Sequence, residues 1–394
     1  MEKTQKEKVT VHILEKKGVW RNEQELGEFS LHFPLPPFVA QRVDIDPLLS
    51  FSRAVLGTAC NVVFVAQEEM TLLLEAFFVG YSPEGERRFF FCTAGDIHCV
   101  KRLSEVLSQE ESTFLFMARR PEEFWILALS FALPHHKRAF VGEPDGALAV
   151  CARECFIPFL PADISSYAFW QRSAFLYLPL VLWGFGVEAV DRGFEEGYAT
   201  LRDSALHCAL FLRREGERGK GKVWFVSESA LLRGIILSFL PLLERSFGRG
   251  VNFEILDLLA FSQRWMEGSG RDAAVILVSS KQKQNLRLEL PQDFPYGSFS
   301  GWEYLSECSL EEIRQVGLEA TRALLRKENK IFVDVNLFDS SPSSWGSFMA
   351  FLQCLACYSS WLQEIDVFSD PPLVRFEHQV LSFLKKQRWE GRQG

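Results

Sequence analysis

The chain has no apolar run long enough to cross a bilayer, which takes about 20 residues. Its most apolar stretch, residues 174–187, is interrupted by Pro179, Gly184 and Gly186 and is expected to form a buried core helix. The first residues read Met-Glu-Lys-Thr-Gln-Lys-Glu-Lys with no apolar stretch behind them, so no secretory signal and a cytoplasmic location are expected. The nine cysteines are odd in number and scattered over 394 residues, which excludes a disulfide framework and suits reduced thiols. Lys and Arg (43) are outnumbered by Asp and Glu (51), for a net charge of -8. With no long basic run to offset that balance, neither a nucleic-acid surface nor an anionic membrane is an expected partner. The most basic turn, Gly216-Glu217-Arg218-Gly219-Lys220-Gly221-Lys222, precedes a strand pattern. A phosphate-gripping glycine loop follows its strand, so this turn reads as a solvated connection. Low-complexity segments and short-period repeats are also lacking.

What is present is the material of a large core: 47% hydrophobic residues, including 36 Phe and 10 Trp. Short Val/Phe/Ile-rich runs at 61–65, 88–92, 113–117 and 138–141 each precede a helical pattern. That alternation predicts a parallel sheet covered on both faces. A helix-rich middle over 164–214 leads to a second series of strands at 223–226, 253–256, 274–278, 286–290 and 331–335. Within it, the run 223–226 enters a polar turn and then a helix with Leu231, Ile235, Leu242 and Leu243 on its apolar side, stopped by Gly248. Ser309 with Glu312 makes a capping box that opens a helix through Lys327. A last helix is expected over 345–362. The expected division is an N-terminal extension (1–44), a first subdomain (45–165), connecting helices (166–214), a second subdomain (215–340), and a C-terminal helix and tail (341–394). The fold class is α/β with two doubly wound parallel sheets.

Four segments carry a resemblance. Residues 223–250 read strand, Ser-Glu-Ser, Arg233-Gly234, an amphipathic helix, then Leu-Glu-Arg-Ser-Phe-Gly. Residues 166–197 hold Phe169, Ser173, Ala174, Pro179, Gly184 and Gly193 in a fixed frame, and Asp257, Gln263, Glu267 and Gly268 form a third. The fourth is Leu362-Gln-Glu-Ile365-Asp-Val-Phe368-Ser-Asp370-Pro371. In these spacings the chain resembles the phosphoglucose isomerases, which implies two sugar-isomerase-type subdomains and no cofactor. Active members interconvert glucose 6-phosphate and fructose 6-phosphate by moving a proton between C1 and C2.

The same resemblance implies that the chemistry is substituted. The family's base, a Glu, falls on Arg245; its enediolate-stabilising Arg falls on Ala168; its ring-opening His falls on Leu259; its C-terminal Lys falls on Glu377, or on Phe376 or His378 if the register slips by one. Glu244 is the nearest carboxylate to the base position, yet one helical residue is a rotation of about 100°. Displaced candidates are therefore Glu244 as base and His378 as acid. The family's phosphate turns correspond to Val65-Ala66-Gln67-Glu68-Glu69 and Ala118-Arg119-Arg120-Pro121-Glu122-Glu123, which contain no Gly, Ser or Thr. Arg119 and Arg120 remain as candidates for a sugar phosphate. The resemblance thus implies a degenerate isomerase with a binding or assembly role, as a homodimer or a heterodimer with an intact isomerase. An active isomerase with displaced residues and a sugar-phosphate sensor are the alternatives.

Other groupings read as structural. Cys354 and Cys357 lie in an apolar helical pattern; Cys92, His98 and Cys99 lack a fourth metal ligand; His135-His136 reads as a polar turn; and Gly184-Phe185-Gly186 has no preceding strand. No metal site is expected.

Overall fold

The computed structural model describes residues 9–14, 36–57, 59–81, 86–108, 110–119, 123–133, 135–164, 167–248, 251–268, 272–281 and 308–368, with 375, 376, 378–380, 382, 383 and 386 beyond them. The order begins β1 (Val9–Leu14), α1 (Ile45–Leu56), β2 (Asn61–Ala66), α2 (Glu68–Tyr81), β3 (Arg88–Thr93), α3 (Ile97–Val106) and β4 (Ser112–Met117). It continues with α4 (Glu123–Phe131), β5 (Lys137–Gly142), α5 (Ala147–Cys155), β6 (Phe159–Pro161), α6 (Ala174–Leu182), α7 (Val187–Thr200) and α8 (Arg202–Glu217). Then follow β7 (Lys222–Val226), α9 (Ala230–Phe247), β8 (Asn252–Leu256), α10 (Leu258–Met266), β9 (Ala273–Ser280), α11 (Leu310–Lys327), β10 (Phe332–Leu337) and α12 (Pro342–Leu362).

Two compact units result, one of residues 35–188, 237–242 and 364–394, the other of 1–34, 189–236 and 243–363. The first holds a sheet of order β3-β2-β4-β5-β6, parallel throughout. Its central strands β2 and β4 are buried at every position, as continuous apolar runs covered on both faces must be. Phe114, Phe116 and Phe140 build one side of its core against Ile126, Leu129 and Leu148 from α4 and α5. On the other side Phe64, Phe78, Phe89 and Phe91 surround the Trp183 ring at 5.5 to 6.1 Å, edge to face.

The second unit holds a sheet of order β1-β10-β9-β7-β8. Strands β7 to β10 are parallel, whereas β1 runs antiparallel along β10, from Val9 opposite Leu337 to Leu14 opposite Phe332. β1 covers an edge that β10 would otherwise present unpaired. The Ser309 capping box is formed in full: Ser309 Oγ accepts from Glu312 N at 3.2 Å and Ser309 N donates to the Glu312 carboxylate at 2.7 Å. Almost every side chain of α12 is buried, so this is an interior helix rather than an amphipathic one. Its approach to α7 is set by glycine. A Cβ on Gly193 would lie 2.1 Å from the Ser343 carbonyl oxygen, and one on Gly346 2.2 Å from that of Val190.

Two sequence expectations change. The stretch 174–187 is not one core helix: α6 stops at Leu182, and Gly184 adopts φ +74°, a left-handed turn only glycine enters freely, before α7 starts. Two strands are added to those expected: β1, a β-branched run within the expected N-terminal extension, joins the second unit's sheet along β10, and the short β6 joins the first unit's sheet along β5. The expected strand at 286–290 lies outside the described residues.

Candidate functional sites at the two sheet crevices

In a doubly wound sheet, ligands gather beyond the strand C-termini at the point where the chain reverses its direction of winding. In the first unit that point lies between β2 and β4, and in the second between β7 and β9. Both crevices hold carboxylate–guanidinium pairs.

Beyond β2 the chain starts α2 with Glu68 and Glu69, and beyond β4 it continues to Arg119. The Arg119 guanidinium, almost fully buried, pairs with the Glu69 carboxylate. One strand further on, the N-terminus of α5 has glycine, Gly146, as its cap and no capping side chain of its own. The buried Glu123 carboxylate takes that place and accepts from Ala147 N. A Cβ on Gly146 would strike it. Helix N-termini attract anions because their first N–H groups point outward, and here the anion belongs to the chain itself. Arg120 lies outside the described residues.

In the second unit β7 runs into Ser227-Glu228-Ser229. Ser229 Oγ caps α9 by accepting from Leu232 N at 3.3 Å, and Arg233 Nη1 folds back to the Ser227 carbonyl at 3.0 Å. Arg314 on α11 pairs with Glu228, donates from Nε to Glu311 at 2.7 Å, and reaches the Ser280 carbonyl at the end of β9. Burial pushes the Glu228 carboxyl above its ordinary range against the pull of Arg314, and its Oε2 is buried with no hydrogen-bond partner among the described residues. Burial alone lowers the Arg314 pKa, but its bonds to Glu311 and the charges of Glu228 and Glu311 raise it overall. In the sequence Glu228 reads as part of a polar turn, and the one signal that marks it is its place two residues after a buried strand.

The positions marked by resemblance are distributed differently. Ala168 sits half-buried in a short 3-10 turn, Tyr167–Phe169, of the first unit. Arg245 is half-buried in the last turn of α9, with Glu244 exposed beside it. α9 runs back along the sheet, so its end packs at the strand N-termini, where the Phe247 and Phe253 rings meet at 5.3 Å. Leu259 opens α10 beyond the C-terminus of β8 and is 80% exposed. Arg245 and Leu259 therefore lie at opposite ends of β8, five residues at about 3.3 Å each. Within one chain the structure does not bring them together. His378 is exposed, and Glu377 lies outside the described residues.

The basic turn before β7 is less solvated than the sequence suggests. Lys220 and Arg218 both pair with the buried Glu215 carboxylate. Cys354 and Cys357 are buried in α12, and burial pushes the Cys354 thiol up to about 12. His136 Nε2 lies 2.9 Å from Ser104 Oγ, and burial lowers its pKa. Among the described residues no three His, Cys, Asp or Glu side chains are grouped to hold a metal, and no helix is long and apolar enough to cross a membrane.

No protein-family model matches the chain, and no curated protein sequence matches it. Solved structures do. A hypothetical protein from Thermus thermophilus is similar over 88% of this chain and 88% of its own, at a TM-score of 0.74 and 19% identity. A glucose-6-phosphate isomerase from Chlamydia trachomatis is similar over 87% of this chain and 74% of its own, at 0.64 and 13%. A tagatose-6-phosphate ketose/aldose isomerase from Escherichia coli is similar over 80% and 86%, at 0.52 and 12%. At these identities the likeness establishes architecture: the chain has the sugar-isomerase (SIS) fold, built as two parallel-sheet subdomains.

Proposed function

We infer that this protein is a divergent relative of the phosphoglucose isomerases, belonging to carbohydrate metabolism, whose isomerase chemistry is lost and whose role is binding or assembly. The observation that carries the reading is Arg245. Isomerisation needs a carboxylate against the C1–C2 edge of the sugar, and a guanidinium cannot accept a proton at physiological pH. Leu259 and Ala168 supply neither the ring-opening proton nor the cation that holds an enediolate. The closed crevices support the same reading, since an incoming phosphate would have to displace Glu69 from Arg119 or Glu123 from the start of α5.

Assembly is supported by exposed apolar side chains on two neighbouring helices: Leu259 and Met266 on α10, two turns apart, and Ile313 and Val316 on α11. The separation of Arg245 and Leu259 within one chain also suits a site completed across two copies. A homodimer, or a pair with an intact isomerase, is the form proposed. Sedimentation as a monomer at micromolar concentration, both alone and with a co-expressed isomerase, would count against it.

The catalytic reading is tested by a coupled assay of the purified protein with fructose 6-phosphate. Each general acid or base contributes about 10² to 10⁴-fold, so turnover is expected at least about 10⁴-fold below that of a competent isomerase. A second reading, an isomerase with displaced groups, is favoured by Glu228, a buried carboxylate with a raised pKa at a switch-point crevice. Robust turnover that is abolished by Glu228→Gln or Glu244→Gln would establish that second reading and overturn the first.

A further inference from the structure

One face of the second unit's sheet changes character along its strands. On β9 and β10 the residues Val275, Leu277 and Phe332 belong to the core under α10 and α11, packed with Leu318 and Leu325. The same face continues toward the strand C-termini as Ser279, Asp334 and Asn336, all polar. A face whose sole task was to seat α11 would stay apolar, because a buried polar group costs free energy unless it is hydrogen-bonded. Here every one is bonded to a single guanidinium. Arg322 of α11 donates from Nε to Asp334 Oδ2 at 2.8 Å, and from Nη2 to Asp334 Oδ1 at 3.1 Å, Asn336 Oδ1 at 2.7 Å and Ser279 Oγ at 3.2 Å. Its Nη1 reaches Glu319 at 2.7 Å, and Ser279 Oγ donates to Asn336 at 2.6 Å. The arrangement is a hydrogen-bonded polar floor centred on Arg322.

Beside that floor lies a cleft of about 430 Å³, whose lining includes Thr10 of β1 and Gln315 of α11. That size is within the range of small-molecule sites, about 300 to 1,000 Å³. Its charges do not balance. Three cations line it, Lys281, Arg322 and Arg326, against Glu319 and Asp334, and both acids are engaged by Arg322. Lys281 and Arg326 are exposed at the rim and form no ion pair among the described residues. In a chain of net charge -8 this is a local excess of positive charge over a polar pocket.

We propose that this cleft binds a small hydroxylated organic anion: Lys281 and Arg326 take its anionic group, and Thr10, Ser280 and Gln315 take its hydroxyls. Cations on flexible stems meet a phosphate or a carboxylate by charge-assisted hydrogen bonds, while hydroxyl and amide side chains can both donate to and accept from sugar-like hydroxyls. The cleft shares no residue with positions 245 and 259 or with the Arg119 crevice, so it stands whether or not any isomerase activity survives.

The test is isothermal titration of the full-length protein with two probes, glycerol 3-phosphate and gluconate. Saturable binding of glycerol 3-phosphate alone identifies a phosphomonoester site, and of gluconate alone a carboxylate site. Either must weaken by about tenfold or more in Lys281→Ala with Arg326→Ala, as expected for the loss of charged hydrogen bonds. Among the described residues these rim side chains form no ion pair, and Arg326→Gln provides a milder variant should the double change unfold. Lys101→Ala, which removes an exposed cation of α3 outside the cleft, is the control and must leave affinity unchanged. Absence of saturable binding by both probes overturns the proposal, as does binding that survives both rim variants or that is lost in Lys101→Ala.

Discussion

The two sheets share a winding pattern and differ in how they treat its reversal point. In the first unit the crevice is sealed by residues close to the strands: Glu69 neutralises Arg119, and Glu123 occupies the helix N-terminus where an anion would seat. In the second, the corresponding crevice is sealed from a distance by Arg314 of α11, which ties Glu228 to the end of β9. One strand further, the same sheet leaves a polar cleft open at Lys281 and Arg326. A parallel sheet creates the electrostatic opportunity in both places. Whether a ligand can use it depends on whether the chain has already placed its own carboxylate there.

That contrast can be broken most forcefully at the buried pairs. Arg322 and Asp334 are 9% and 7% exposed, and among the described residues the Asp334 carboxylate is paired with that one guanidinium. Arg322→Ala is expected to cost about 3 to 5 kcal/mol, because it strands a buried carboxylate. In the first unit, Arg119→Ala leaves Glu69, whose side chain is 20% exposed and can take up water. A loss of about 1 to 3 kcal/mol is expected there. Urea unfolding of both variants decides the ranking, and equal losses would show that the two pairs are equally buried in solution.

A smaller effect should appear in acid. Burial pushes the Glu215 carboxyl up, but the hydrogen bonds and charges of Lys220 and Arg218 outweigh it and hold the pKa below its ordinary value of 4.5. A carboxylate whose pKa is lowered by folding contributes stability that is present above the unfolded value and lost as pH falls through the folded one. Thermal unfolding followed downward from pH 5 should therefore decline less steeply in Glu215→Gln than in the parent. Identical slopes would mean that the turn 216–222 is as solvated as its composition alone suggests.

Periodicity and punctuation in the sequence are enough to locate the strands 61–65, 88–92, 113–117, 223–226 and 253–256, the Ser309 cap and the end of α9 at Gly248, because each depends on residues a few positions apart. The resemblance placed Gly193 in a fixed frame, and the structure supplies the reason: α12 packs its Ser343 carbonyl where a side chain would be. Positions 168, 245 and 259 could be named from that frame, but their distances from one another could not.

Residue order along the chain thus determined the alternation of strand and helix, the two-sheet class and the absence of a glycine-rich phosphate turn, since all of these are local or compositional. Tertiary structure alone decided the rest. Glu69 and Arg119 are 50 residues apart, and Glu228 and Arg314 are 86 apart. β1 finds its antiparallel partner in a strand more than 300 residues further on. Contacts of that range leave no periodic trace, because an ion pair or an edge pairing needs only two groups to arrive at one place, and the winding of the sheets brings them there.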